Sequence, residues 1–142
     1  MKTVEAAVIG VGWVGGTRAE ALARTALVDK LHLCDIKPDR LAEVKTLYKP
    51  ASATLDYQDI IKNEKISVVY VSTTPEANHY PIARDCLKAG KNVMLEKPIA
   101  LELWEADELI QLSARNNLKF TIGYSQRFNP KIAFAKKKIT DG

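Results

Sequence analysis

Three glycines and one aspartate carry the first recognisable chemistry in this sequence. Gly10, Gly12 and Gly15 follow the apolar run Val4–Ile9 in the pattern Gly-x-Gly-x-x-Gly, and Asp35 comes twenty positions after Gly15, closing the run Leu31-His32-Leu33-Cys34. The spacing suits a pyrophosphate and a ribose. Gly10 permits a tight turn out of a strand, Gly12 lacks the Cβ that would keep a phosphate off the backbone, and Gly15 lets a helix pack closely on the strand. A helix opening near Trp13, with Val14 in its first turn, points unpaired N–H groups and the positive end of its dipole at that phosphate. Asp35 can accept hydrogen bonds from both ribose hydroxyls and repels a 2′-phosphate, which predicts NAD in preference to NADP. Lys37, two residues on, would soften that exclusion. The glycines alone also fit a ligand-free strand-to-helix turn; the strand, the helix and Asp35 at its offset together favour a dinucleotide. Gly16 costs the helix about 1 kcal/mol relative to Ala. It reads equally as a close helix–strand contact or as room for a ligand.

The elements that must position these residues alternate along the whole chain. Strands are predicted over Val4–Ile9, Lys30–Cys34, Ala51–Ala53, Val68–Val71, Asn92–Leu95 and Phe120–Ile122. Helices are predicted over Trp13–Arg24, Pro38–Tyr48, Tyr57–Asn63 with Asp56 as N-cap, Pro81 to Gly90, Glu102–Asn116 and Pro130–Ile139. Val68-Val69-Tyr70-Val71 is apolar throughout, as in a strand buried on both faces. In the fifth helix Ala106, Leu109, Ile110 and Ser113 share one side. This alternation predicts an α/β fold, a doubly wound parallel sheet (Rossmann fold) of about six strands with helices on both faces and one ligand crevice at the carboxyl ends of the strands. The polar residues fall at those ends: Asp35, Ser72-Thr73-Thr74-Pro75, Glu96-Lys97-Pro98 and Tyr124.

Composition excludes several function classes. The chain has 142 residues, enough for one domain, with 46% hydrophobic and 27% charged residues. The net charge of +4 is local: setting aside four lysines and one aspartate in residues 131–142 leaves 17 basic against 16 acidic side chains. No basic stripe with interleaved aromatics occurs, so no nucleic-acid partner is predicted. No apolar run reaches the ~18 residues of a membrane span and no signal peptide is legible, so a cytoplasmic protein without a membrane partner is expected. Cys34 and Cys86 have neither metal-ligand nor redox spacing and read as buried inert thiols. With His32 and His79 alone to draw on, no metal site is expected. Trp13 and Trp104 read as packing residues.

Three further motifs sharpen the reading: Thr74-Pro75-Glu76-Ala77-Asn78-His79, Ala89-Gly90-Lys91-Asn92-Val93-Met94-Leu95-Glu96-Lys97-Pro98 and Gly123-Tyr124-Ser125-Gln126-Arg127-Phe128-Asn129-Pro130. With the glycine loop they resemble the Gfo/Idh/MocA family of oxidoreductases over essentially the whole chain. The resemblance implies an N-terminal NAD(P)-binding Rossmann domain spanning residues 1–142, with the family's C-terminal substrate domain, its catalytic His and any homo-oligomer interface lying outside this chain. It implies that Gly10, Gly12, Trp13, Val14 and Gly15 hold the pyrophosphate and Asp35 the adenosine ribose. Ser72, Thr73, Thr74 and Pro75 would line the crevice, with Asn78 and His79 at its edge. Glu96 and Lys97 would sit by the nicotinamide ribose, Lys97 would reach the substrate hydroxyl as the catalytic residue, and Tyr124 and Arg127 would flank the nicotinamide. A cis Lys97-Pro98 peptide is implied too. Plainer readings stand beside these: His79 as a helix N-terminal residue satisfied by the backbone, Tyr124 and Arg127 as a surface stacking pair, Lys97 as a solvated lysine. Arg18, where many members carry His, and Glu102, where many carry Ser or Thr, depart from the family pattern at positions expected to lie outside the chemistry.

Two functions compete. One is an NAD(P)-dependent dehydrogenase or reductase passing a hydride between nicotinamide and a polyol, sugar or related carbonyl substrate; the chain alone would then bind cofactor without turnover. The other is a non-catalytic dinucleotide-binding regulator or sensor. Lys97 favours the enzyme, because a sensor needs the glycines and Asp35 but no lysine at the hydride-transfer end.

Overall fold

In a computed structural model, which describes residues 3–142, the strands β1 (Val4–Ile9), β2 (Val28–Cys34), β3 (Ser52–Thr54), β4 (Ile66–Val71), β5 (Asn92–Leu95) and β6 (Phe120–Ile122) form one parallel sheet in the order β3-β2-β1-β4-β5-β6. The helices are α1 (Trp13–Arg24), α2 (Pro38–Tyr48), α3 (Tyr57–Lys62), α4 (His79–Lys88), α5 (Leu103–Arg115) and α6 (Pro130–Asp141). This is the doubly wound topology expected, and the strand order reverses between β1 and β4, where such sheets open a ligand crevice.

Two cores hold the sheet. On one face Val8, Leu31, Leu33 and Tyr70 pack with Ala19 of α1 and Leu41 and Val44 of α2. On the other, Ala7, Ile9, Val69, Val71 and Leu95 pack with Ile60 of α3, Ile82, Cys86 and Leu87 of α4 and Leu109 of α5. Strand β1 is central and loses both faces to helices, so Ala6, Ala7, Val8 and Ile9 are all buried and the alternation of a half-exposed strand is missing. Leu33 is fully buried; cutting it to Ala would cost about 3 kcal/mol.

Local signals explain most boundaries. Pro38 and Pro130 open α2 and α6, and the Asp56 side chain accepts from Gln58 N at 2.9 Å to cap α3. Gly90, at φ +76°, ends α4 with Lys91 N–H bonded to Cys86 O at 3.0 Å. Asn117, at φ 52°, does the same after α5, with Leu118 N bonded to Ser113 O at 2.9 Å. Helix α4 begins at His79, two residues ahead of the predicted Pro81, because a 3₁₀ turn over Glu76–Asn78 feeds it and a first-turn proline has no hydrogen bond to lose. Ile110, predicted to face the core from α5, is exposed; Leu109 and Ser113 are the buried positions of that helix.

A staircase of backbone bonds carries the sheet past its strands. Gly10 N donates to Cys34 O, Asp35 N to Thr54 O, Ser72 N to Ile9 O, Glu96 N to Val71 O and Gly123 N to Leu95 O, at 2.8, 3.3, 2.8, 2.9 and 2.8 Å. The first residue of each site loop is thereby fixed to the neighbouring strand, so the carboxyl edge is a rigid platform.

Candidate active site

The glycine loop has the geometry its spacing predicts. Gly10 sits at φ +86°, and a Cβ there would lie 2.5 Å from Ser72 O. A Cβ on Gly15 would lie 1.8 Å from Gly10 O, so the turn closes on itself only because both residues lack side chains. A Cβ on Gly12 would meet nothing within 4 Å and would project into open space, where a phosphate needs the room. Helix α1 starts at Trp13 with no side-chain cap on its first N–H groups.

Gly16 is settled by neither of its two readings. A Cβ there would come 2.6 Å from Arg40 Nη2. Arg40, on α2, donates through Nε to Val11 O at 2.7 Å and through Nη2 to Gly12 O at 3.4 Å, so its guanidinium braces the glycine loop from the α2 side. Asp35 braces it from the end of β2: Oδ2 accepts from Val11 N at 2.8 Å and Oδ1 from Lys37 N at 2.9 Å. Each carboxylate oxygen has a second lone pair, so Asp35 keeps acceptors for ribose hydroxyls.

A groove of about 660 Å³ runs beside these residues, with Gly10, Gly12, Trp13 and Asp35 on one wall and Ser72, Thr73, Thr74, Pro75 and Asn78 on the other. Its size is that of a cofactor site. Lys37 and Arg40 bring positive charge to the Asp35 end. A smaller cavity of about 200 Å³ adjoins it, sharing Gly12, Trp13, Ser72, Thr73 and Thr74 and adding Val14, His79, Glu96 and Lys97. The buried Thr73 hydroxyl has no hydrogen-bond partner. An open cradle at Gly12, a helix N-terminus, an aspartate beside it and an unpaired hydroxyl suit a pyrophosphate-linked dinucleotide.

At the second cavity Lys97 is exposed and Glu96 is 8% exposed. Lys97-Pro98 is cis, as the resemblance implied, and so is Thr74-Pro75. His79 is 2% exposed and lies between two carbonyls, with Nδ1 at 2.8 Å from Pro98 O and Nε2 at 3.0 Å from Thr73 O. The backbone-satisfied reading of His79 is the one the geometry matches: packed between the loop after β4 and the loop after β5, the ring donates an N–H to one of their two carbonyls, the tautomer deciding which. The Glu96 carboxylate faces inward to Tyr70 and Arg18. Arg18 therefore does touch the site, contrary to its expected place outside it. The sequence held a signal: Tyr70 is the one hydroxyl in the strand stretch Val68–Val71 and, once buried, needs a partner. Burial pushes the Tyr70 hydroxyl well above its ordinary range, with the Glu96 carboxylate adding to the rise.

Other expectations fare differently. Tyr124 and Arg127 line neither cavity; they belong to a separate 750 Å³ groove against Lys136 and Lys137 of α6. Trp13 is 90% exposed and Trp104 59%, so neither is a core residue. The position of Trp13 in the first helical turn turns its ring out over the crevice, and Trp104 meets the Tyr80 ring edge-on at 5.2 Å. Glu102 opens α5 without Ser or Thr because the Glu105 carboxylate accepts from both Leu101 N and Glu102 N at 3.3 Å. Cys34 and Cys86 are buried free thiols, each pushed up to about 12 chiefly by burial. No metal-binding cluster of His, Cys, Asp and Glu occurs among the described residues, and no helix among them is long and apolar enough to cross a membrane.

Comparison with known proteins agrees with this geometry. The chain is 30% identical over 138 residues to an inositol 2-dehydrogenase/D-chiro-inositol 3-dehydrogenase of Lactiplantibacillus plantarum, covering 95% of this chain and 39% of that protein. It is 26% identical over 140 residues to a scyllo-inositol 2-dehydrogenase (NADP(+)) of Bacillus subtilis, covering 99% of this chain and 38% of that one. The crystal structure of scyllo-inositol dehydrogenase from Lactobacillus casei with bound NAD(H) and scyllo-inositol superposes with a TM-score of 0.90 at 26% identity, over 99% of this chain and 42% of that chain. The chain thus spans about two fifths of the length of these relatives. Residues 4–124 match the family described as "Oxidoreductase family, NAD-binding Rossmann fold", and the chain belongs to that Gfo/Idh/MocA family.

Proposed function

We propose that this chain is the cofactor-binding domain of an NAD(P)-dependent dehydrogenase or reductase whose substrate is a polyol, a sugar or a related carbonyl compound. The carrying observation is the exposed Lys97 on the small cavity that continues the dinucleotide groove. The inositol dehydrogenases it resembles support a cyclic polyol as the substrate class.

In this reading Gly10, Gly12 and Gly15 with the N–H groups of Trp13 and Val14 hold the pyrophosphate, and Asp35 holds the adenosine ribose. Ser72, Thr73, Thr74, Pro75 and Asn78 wall the groove opposite. When bound, the nicotinamide supplies the hydride acceptor or donor. Lys97 holds a positive charge beside the substrate oxygen, lowering the cost of its alkoxide character as the hydride leaves the carbinol carbon, while the hydroxyl proton would pass to a base supplied from outside this chain. His79 keeps the two site loops at a fixed separation. Glu96 serves Lys97 more than the ribose, given its inward carboxylate. Tyr124 and Arg127, away from both cavities, are left for contacts beyond this domain. Residues 1–142 act as one dinucleotide-binding domain, and a following domain would complete the substrate side and any homo-oligomer contact.

Titration with NADH and NADPH, followed by cofactor fluorescence, tests binding: the expected result is saturable binding with NADH favoured. In the protein that carries this chain, polyol-dependent NADH formation should fall about 10²–10⁴-fold in Lys97→Ala with cofactor affinity nearly unchanged. Binding without any polyol- or sugar-dependent turnover in that protein would favour the regulator instead.

A further inference from the structure

Four segments of the chain converge on the Glu96 carboxylate. Oε1 accepts from the Tyr70 hydroxyl and from Arg18 Nη2, the latter at 3.3 Å. Oε2 accepts from Lys97 N at 3.2 Å. Arg18 Nε also donates to the Tyr70 oxygen at 3.0 Å, and its guanidinium carbon lies 5.6 Å from the Tyr70 ring centre. Gly123 provides the space, since a Cβ there would lie 2.9 Å from Oε1. Arg18 comes from α1, Tyr70 from β4, Glu96 and Lys97 from the end of β5, and Gly123 from the end of β6.

We propose that Arg18 and Tyr70 are positioning residues for Lys97, acting through Glu96. The proposal rests on the dehydrogenase reading, in which Lys97 meets the substrate oxygen. Two physical effects carry it. The bond from Lys97 N to Oε2 fixes the peptide plane between Glu96 and Lys97, and with it the direction in which the lysine side chain leaves the backbone. The second effect is competition for charge. A buried carboxylate needs a cation or strong donors. Burial by itself raises the Glu96 pKa, yet the donors from Tyr70, Lys97 N and Arg18 outweigh it and hold the carboxyl below its ordinary range, so it is ionised at neutral pH. Arg18 and Tyr70 satisfy that charge from inside the fold. Without them the available cation is the Lys97 ammonium one residue away, which would fold back onto Glu96 and leave the cavity. The Arg18 fork with two donors in one plane suits this task, since it reaches Tyr70 and Glu96 together.

The test measures how freely the Lys97 amine reacts in the purified chain. An amine-selective acylating reagent is applied without cofactor, labelling is read by peptide mass mapping, and Lys37 serves as internal reference. In Arg18→Met, capture by Glu96 should slow labelling of Lys97 about fivefold relative to Lys37. Adding Glu96→Gln to Arg18→Met removes the capturing charge and should restore the rate to within about twofold of the parent, whereas Arg18→Lys alone should stay near the parent rate. A purely structural role for Arg18 predicts no rescue by the second substitution. Tyr70→Phe, which keeps the ring, should move Lys97 in the same direction by a smaller factor, and it carries the test if Arg18→Met does not fold. Unchanged Lys97 labelling in both Arg18→Met and Tyr70→Phe, or slowing that Glu96→Gln leaves in place, would overturn the proposal. A parent chain that does not bind NADH would count against the dehydrogenase reading, and the labelling result does not depend on it.

Discussion

The two ends of the crevice are built in opposite ways. At the glycine-loop end the determinants are close in sequence and mostly backbone: Gly10, Gly12 and Gly15 in one turn, then Asp35 just past the neighbouring strand accepting from Val11 N. At the Lys97 end they are side chains drawn from α1, β4 and the end of β5, meeting at Glu96 in space that Gly123, after β6, leaves open. At Gly10 and Gly15 the first end tolerates almost no added volume, because a Cβ there would meet backbone atoms packed at contact. The second tolerates changes of shape better than changes of charge, because a buried carboxylate holds it together. A steric substitution should therefore damage the glycine end most, and a charge substitution the lysine end.

The largest expected effect is steric. Gly15→Ala places a Cβ against a carbonyl oxygen that cannot move without unmaking the turn. It should destabilise the fold by about 3 kcal/mol, lowering the melting temperature by roughly 10 °C, and NADH binding should be lost with it. Gly12→Val separates the two functions of the loop. Its side chain enters open space, so the melting temperature should stay within about 2 °C while NADH affinity falls at least about tenfold. Equal melting losses in both variants would break the distinction drawn between the glycines.

Asp35→Asn tests charge at the same end. The amide oxygen can still accept one backbone bond, so the fold should hold, while the NADH over NADPH preference should shrink by about tenfold. An unchanged ratio would show that Lys37 and Arg40, not Asp35, decide between the cofactors.

A smaller effect is expected at the lysine end under acid. Since the folded-state pKa of Glu96 is depressed, its contribution to stability is present above the unfolded value of about 4.3 and is lost as pH falls through the lower folded value. Glu96→Gln should therefore flatten the acid limb of a stability-against-pH curve and lower stability at neutral pH. A limb of the same steepness in both proteins would remove Glu96 from the groups that matter. The smallest effect is optical. In Trp104→Phe the exposed Trp13 is the remaining tryptophan, and NADH binding should quench its emission by energy transfer while Trp13→Phe leaves affinity within about threefold. Unquenched emission at saturating NADH would place the ring away from the cofactor.

The sequence alone determined the strand–helix alternation, the glycine turn, the Asp35 offset and the placement of polar residues at strand ends. Those features are local: a turn that needs φ above zero at Gly10, the apolar stretch Ala6–Ile9 of β1 and helix-opening prolines leave their mark within a few residues. Boundaries slipped where local signals competed, as at Pro81, where a preceding 3₁₀ turn extended α4. Tertiary structure alone decided what crosses the sheet. Arg18 and Glu96 are 78 positions apart, and Arg40 reaches Val11 and Gly12 across 29 and 28 positions, so no short pattern records them. Gly16 shows the limit most plainly. Its lack of a side chain was visible at once, but the neighbour it makes room for, the Arg40 guanidinium, is beside it only after α2 has docked beside α1. Short-range steric rules are written in residue types, whereas a hydrogen-bonded cluster is specified by which surfaces the folded core brings into contact.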